Sequence, residues 1–245
     1  MSSFERVAVV TGGAKGIGLA CSHSLAASGL RVVAIGRDGA ALAASGFEHR
    51  VCDVTDEDTV VAVFAEIGVV DVLVNNAGIA TAAPLHRVTL ADWQQAMAVN
   101  ATGVFLCTRA VVAGMKQRGW GRIVTIASTA SHRGSPYIAA YAASKHAVLG
   151  LMRSAAAELA GSGVTANSVC PDYVRTEMTE RTIANIVART GRSAAETEAS
   201  LVAQASLGRL IEPEEVAAAV AYLCSDGAAA VNGQSIIIDG GTIQS

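Results

Sequence analysis

The stretch Val7-Ala8-Val9-Val10-Thr11-Gly12-Gly13-Ala14-Lys15-Gly16-Ile17-Gly18 decides how the rest of the chain is read. Its first four residues are apolar and mostly β-branched, as in a strand buried on both faces of a parallel sheet. Glycines at 12, 16 and 18 let the backbone turn tightly and come close to a ligand. An amphipathic helix follows from about residue 17 to 27, and Gly29 ends it. Free N–H groups and the helix dipole then face an anion. Strand, glycine loop and helix start together form a phosphate cradle. The spacing departs from GxGxxG, but it serves the same physics.

Downstream, strand and helix patterns alternate. Strands are expected at 31–35, 47–52, 72–74, 123–127, 164–169 and 235–238. Helices are expected at 57–67, 89–117, 141–159 and 212–224, the last entered through Pro213. Between Asp38 and Gly46 there is room for about two helical turns. Residues 177–206 read as two short, charge-rich helices broken at Gly191, part of a lid over about 172–210. The alternation predicts one domain, 1–245, of α/β class. Its core is a doubly wound, seven-stranded parallel sheet with helices on both faces.

Apolar residues make up 51% of the 245, and charged residues only 16%, which suits a large core and helix faces buried between subunits. The net charge of −3 points to neither nucleic acid nor a membrane surface as partner. No run of about 18 uninterrupted apolar residues suggests a span. Met1-Ser2-Ser3-Phe4-Glu5-Arg6 runs directly into a strand, so no signal peptide is expected. Five cysteines without CysXxxXxxCys spacing suit reduced, buried thiols in a cytoplasmic protein. No His/Cys/carboxylate cluster has metal-ligand spacing, so no metal is expected.

The second strand ends at Gly36-Arg37, where a carboxylate would favour NAD by binding the ribose 2′-OH. Arginine there does the reverse, and Lys15 adds a second cation. Two bases and no acid at the strand end favour NADP(H) over NAD(H). Asp53, after the third strand, either meets the adenine or caps the helix starting near Glu57. Asn75-Asn76-Ala77-Gly78 follows the fourth strand, and either lines a cofactor site or makes a turn.

Ser128 follows the fifth strand. Tyr141 comes thirteen residues later and Lys145 four after that. Residues i and i+4 share a helix face, so phenol and ammonium can enter the same space. The positive charge would lower the phenol pKa and make it a proton donor or acceptor near neutral pH. Asn100 stands inside a helical pattern that asparagine disfavours. It is there for its polar side chain, or it marks a kink.

These motifs resemble the short-chain dehydrogenase/reductase family, and the likeness spans essentially the whole chain, implying a Rossmann-type fold. Thr11 to Gly18 matches the family's cofactor loop, and Asn75 to Gly78 its AsnAsnAlaGly. Asn100, Ser128, Tyr141 and Lys145 match its catalytic four. The resemblance implies that Tyr141 protonates the carbonyl oxygen as hydride arrives. Lys145 would lower the Tyr141 pKa and hold the nicotinamide ribose, Ser128 would bind the substrate oxygen, and Asn100 would hold a water that passes protons to Lys145. Cofactor contacts would come from Gly12, Lys15, Gly16, Ile17, Gly18, Arg37, Asp53, Val54, Asn76, Ala77, Gly78, Tyr141, Lys145, Pro171, Val174 and Thr176. A homotetramer is implied as well.

The family has ProGly after the sixth strand; here it is Pro171-Asp172. That carboxylate disfavours anionic substrates, hydrogen-bonds a hydroxyl, or points to solvent. His132, Arg133, Tyr137, Asp172, Tyr173 and Met178 are placed by position to line the substrate pocket. Arg133 attracts a phosphate or carboxylate, or is an exposed loop residue. The leading function is NADPH-dependent reduction of a small-molecule carbonyl, a 3-oxoacyl thioester. The alternatives are an NAD-linked secondary-alcohol dehydrogenase and a non-catalytic binding protein of the same fold. The intact Asn100, Ser128, Tyr141 and Lys145 argue against the last.

Overall fold

The computed structural model describes residues 6–203 and 205–244. The stretch Met1 to Glu5, read above as leading into the first strand, lies outside them, as do Gln204 of the 172–210 segment and Ser245.

Seven strands form one parallel sheet in the order β3-β2-β1-β4-β5-β6-β7. They are β1 Val7–Thr11, β2 Arg31–Gly36, β3 Glu48–Val51, β4 Val72–Asn75, β5 Gly121–Ile126, β6 Val164–Pro171 and β7 Ser235–Ile238. Nine helices are described: α1 Gly16–Ala27, α2 Gly39–Ala44, α3 Glu57–Ile67, α4 Leu90–Met97, α5 Gly103–Arg118, α6 Ala139–Glu158, α7 Glu177–Thr190, α8 Ala194–Val202 and α9 Pro213–Cys224. The doubly wound α/β fold is thus as the alternation predicted.

Two cores flank the sheet because successive strand residues point to opposite faces. Val7 and Val9 of β1 join Val33, Ile35, Leu73 and Ile123 beneath α3, α5 and α6. Ala8 and Val10 join Val32, Val72, Val74 and Val124 beneath α1 and α9. All five residues of β1 are buried, so its side chains have no polar face to present to water. Each fully buried Val or Leu contributes about 1.5–3 kcal/mol. The edge strand β3 has no fully buried residue and is shorter than the 47–52 reading, since the ladder with β2 runs only from Glu48 to Val51.

Local chemistry sets the helix ends. Asp38 caps α2 by accepting from the Ala41 amide. Asp56, not Asp53, caps α3 by accepting from the Asp58 amide. Asp53 instead accepts from the Thr55 amide and hydroxyl at 2.9 and 2.8 Å, an Asx turn that delays the helix. Thr89 and Asp92 form a reciprocal box at the start of α4, a device that stabilises a helix by about 1 kcal/mol.

The helical pattern read as one element over 89–117 is interrupted. Residues Ala98–Thr102 wind as a π turn between α4 and α5, with Asn100 at its centre. Asn100 is therefore both a kink marker and a buried polar side chain, at 0% exposure. Such single π turns concentrate at functional sites. By length and composition alone, Leu90–Arg118 is long and apolar enough to cross a membrane, with mean hydropathy 1.5. Half of that window is buried within the fold, and Val104, Leu106, Cys107, Val111 and Met115 belong to the core under the sheet.

Candidate active site

The strand order reverses between β1 and β4. Open α/β sheets take ligands in the crevice outside the strands' carboxyl ends at that point. The glycine loop leaves β1 there and is clamped from β4. Thr11 Oγ1 accepts from the Asn76 and Ala77 amides, each at 2.9 Å. Asn76 Nδ2 donates back to the Thr11 and Gly12 carbonyls at 2.9 and 3.2 Å. The AsnAsnAlaGly segment thus shapes the cradle by bracing its backbone. Thr11, read from the sequence only as the first residue of the cofactor loop, is the hinge of that brace; a threonine ending a strand just before glycine was the available signal.

Gly12 sits at φ 64°, and a Cβ there would lie 2.9 Å from Asn76 Nδ2. A Cβ at Gly18 would overlap the Gly12 carbonyl. No side chain caps α1 and its first turn holds no acid, so its leading amides keep their capacity for an anion. Thr176 caps α7, and its methyl lies 3.2 Å from where a Gly16 Cβ would stand. The segment after β6 therefore closes over the loop, with Val174 bridging to Ile211.

Beside the loop is a cavity of about 120 Å³, lined by Lys15, Gly36, Arg37, Asp38 and Leu42 among others. Here the structure corrects the reading that no acid stands at the end of β2. Asp38 is at the rim, its carboxylate 3.0 Å from Lys15 Nζ. Its duty as the α2 cap turns it toward the cavity. The signal was present in the adjacent Arg37-Asp38 pair, but side-chain direction is not legible in one dimension. Arg37 is largely exposed and lies 3.9 Å from Asp53, which does not itself line the cavity. Glycine cradle and uncapped helix start fit a dinucleotide cofactor.

The reacting end lies at the tips of β5 and β6. Ser128 Oγ accepts from the Ala130 amide at 3.1 Å, leaving its own proton to donate. Tyr141 and Lys145 lie one turn apart on α6. Lys145 is 5% exposed and donates to the Ile126 carbonyl, at the end of β5, at 2.8 Å. Burial lowers its pKa to about 8. Asn100 Oδ1 accepts from the Ile79 amide at 2.8 Å, and its Nδ2 donates to Ile79 O and Ser144 Oγ, both at 2.9 Å. Ser144 donates to Tyr141 O at 2.7 Å. The π turn is thereby pinned to α6 between the tyrosine and the lysine. A Cβ at Gly78 would stand 3.3 Å from Asn100 Oδ1 and 3.6 Å from Lys145 Nζ, so all three meet at the end of β4.

The expected acidification of Tyr141 by Lys145 is not what this geometry produces. Burial raises the phenol pKa above its usual value, and the Ser128 hydroxyl, within hydrogen-bonding reach, pulls the other way. The lysine head is committed to Ile126 O, and its distance to the tyrosine ring centre is 5.8 Å. Tyr141 is therefore held as a neutral acid at physiological pH.

A family model described as enoyl-(acyl carrier protein) reductase matches residues 12–242. The chain belongs to the short-chain dehydrogenase/reductase family. Members of this family oxidise a CH–OH group or reduce a carbonyl with a nicotinamide cofactor. The chain is 41% identical over 250 residues to cis-4-hydroxycyclohexanecarboxylate dehydrogenase of Sinomonas cyclohexanicum, covering 97% of this chain and 96% of that one. It is 39% identical over 246 residues to acetoacetyl-CoA reductase of Rhizobium meliloti (strain 1021), covering 97% and 98%. A crystal structure of an actinorhodin polyketide ketoreductase variant with NADPH superposes at TM-score 0.93, with 38% identity and 97% of each chain covered.

The remaining predicted residues divide. Val54 has its side chain in the core, against Gly103 of α5. Ile17 packs on the α1/α9 core. Arg133 and Asp172 come together, with 3.8 Å between guanidinium and carboxylate, and Tyr173 feels both charges. Tyr137 is exposed at φ 70°, held through its carbonyl by the Ala83 amide at 2.7 Å. Met178 is exposed on the first turn of α7. His132 feels Arg153 and His146 of α6, and burial lowers its pKa. The five cysteines are buried and free, and burial raises Cys52 and Cys170 to about 11. Among the described residues, no group of three or more His, Cys, Asp or Glu is placed to hold a metal.

Proposed function

We propose that this short-chain reductase is an NADPH-dependent reductase of 3-oxoacyl thioesters. The observation that carries the reading is geometric: Tyr141 and Lys145 lie one turn apart on α6, with Lys145 anchored at the end of β5 and the Ser128 hydroxyl within reach of the phenol. A reduced nicotinamide, when bound, supplies the hydride to the carbonyl carbon. Ser128 donates to the carbonyl oxygen as charge develops there, and Tyr141 delivers its proton to that oxygen. Lys145 and Asn100, locked to Ile126 and Ile79, hold the floor of the site at the end of β4. Thioester specificity draws on the likeness to an acetoacetyl-CoA reductase and to a polyketide ketoreductase. NADPH preference draws on the exposed Arg37 and Lys15 at the cavity rim.

One observation favours a second reading. Asp38 at that rim, paired with Lys15, is a carboxylate that can bind a ribose 2′-OH and repel a 2′-phosphate. With the likeness to a hydroxycyclohexanecarboxylate dehydrogenase, it supports an NAD-linked secondary-alcohol dehydrogenase. Titrating both coenzymes and assaying acetoacetyl-CoA reduction tests the choice. Tighter NADH than NADPH binding, or no turnover of acetoacetyl-CoA, sinks the first reading.

The same proposal places residues 172–210 as a lid. Arg175, just ahead of α7, pairs with Glu198 of α8 and with Glu212 at the start of α9, and Arg189 of α7 donates to Ala82 O at 3.0 Å. A homotetramer belongs to the same proposal through the family likeness. The free thiols support a cytoplasmic setting.

A further inference from the structure

Asp172 stands where the residue after Pro171 ends β6. Its amide continues the sheet pairing by donating to Ile238 O at 3.0 Å. Its carboxylate is turned inward: the side chain is 11% exposed, against 43% for its partner Arg133. Oδ1 accepts from Thr129 Oγ1, next to Ser128, at 3.2 Å, and Oδ2 lies 3.8 Å from the Arg133 guanidinium. The charge reaches the reacting group, since Asp172 is among the groups that raise the Tyr141 pKa. A carboxylate thus sits beside the place where the carbonyl must lie, and the cation that would draw an anion there is already engaged.

We propose that Asp172 and Arg133 are a matched pair that sets the charge of the accepted substrate. Asp172 repels a free carboxylate near the reacting carbonyl, and it keeps Arg133 from attracting one. The consequence is selection for 3-oxo compounds whose acyl end is neutral, as in a thioester or ester, over the free 3-oxo acid. This inference rests on the reading of the site as a carbonyl reductase centred on Tyr141. The two charges have opposite signs, so their removal must act in opposite directions. Asp172→Asn frees Arg133 and should favour anions, whereas Arg133→Gln leaves Asp172 unopposed and should exclude them further.

The experiment compares methyl acetoacetate with acetoacetate, which share the reacting carbonyl and differ in charge. The same comparison is made with 4-oxocyclohexanecarboxylate and its methyl ester. The readout is the ratio of kcat/KM for the anion to that for the ester. Asp172→Asn should raise this ratio about tenfold and Arg133→Gln should lower it, as expected when one nearby charge is removed. A purely structural role moves both ketones together and leaves the ratio fixed. An unchanged ratio in both variants, or movement in the same direction, overturns the inference; Asp172→Ser repeats the measurement should the asparagine variant fold poorly. Acetoacetyl-CoA is the separate arm. If it is not reduced while the esters are, the thioester reading fails and the charge pair stands. Inactivity on every ketone with either coenzyme overturns both.

Discussion

Lys145 carries its ammonium 5.8 Å from the centre of the Tyr141 ring, yet spends it on the carbonyl of Ile126 at 2.8 Å. The two side chains share a helix face, but in this geometry burial governs the phenol. A buried neutral phenol is the form that reduction of a carbonyl requires.

Tyr141→Phe keeps the ring and its packing while removing the proton. Reduction should fall by about 10²–10⁴-fold, the usual worth of a placed acid. Cofactor affinity should stay within about threefold, because the glycine cradle is untouched. Turnover assays with a fluorescence titration of NADPH check both halves. Retained activity refutes the acid assignment.

Lys145 has its pKa lowered to about 8 by burial, so it titrates before an unfolded lysine does. Between about pH 8 and 10.5 the unfolded chain holds the extra proton, and stability rises with pH across that window. Below pH 8 the full cost of the buried charge is present. Lys145→Met should therefore stabilise the fold at pH 7 by about 1–3 kcal/mol, less whatever the lost bond to Ile126 contributed. The gain should fade by pH 10.5, and turnover should be lost. Urea unfolding at pH 7 and pH 10 reads the difference. A pH-independent difference contradicts the assignment.

Asn100 satisfies both polar groups of Ile79 and the Ser144 hydroxyl from a fully buried position. Asn100→Leu has a similar size but leaves those groups orphaned, at a cost of about 2–4 kcal/mol. Activity should fall as well, since Gly78 and Lys145 meet at the same point. Thermal unfolding, with kcat measured on the folded fraction, tests this. A loss under about 0.5 kcal/mol contradicts the bracket role.

Asp38 and Arg37 oppose each other at the coenzyme rim. Asp38→Asn, which keeps a helix cap, should shift kcat/KM toward NADPH by about tenfold, the worth of one charge-assisted contact. Arg37→Asp should shift it toward NADH. Steady-state kinetics with both coenzymes decide; an unchanged ratio in both variants means another group reads the ribose.

The alternation of apolar strands with helical stretches, and the glycine-rich turn after Val10, sufficed to specify the doubly wound sheet and the order of its elements. Burial periodicity is a local property, and a chain carries it openly. The i, i+4 placement of Tyr141 and Lys145 is local in the same sense. What folding alone decided was the direction of side chains and the company they keep. Asp38 faces Lys15 because it caps α2, Asp53 gives up the α3 cap to Asp56, and Asn100 sits on a π turn rather than in a regular helix. Arg133 and Asp172, 39 residues apart in sequence, neutralise each other only because the tips of β5 and β6 are neighbours. Desolvation and through-space charge depend on what surrounds a group in three dimensions, so the protonation of Tyr141 and Lys145 could not be read from their spacing.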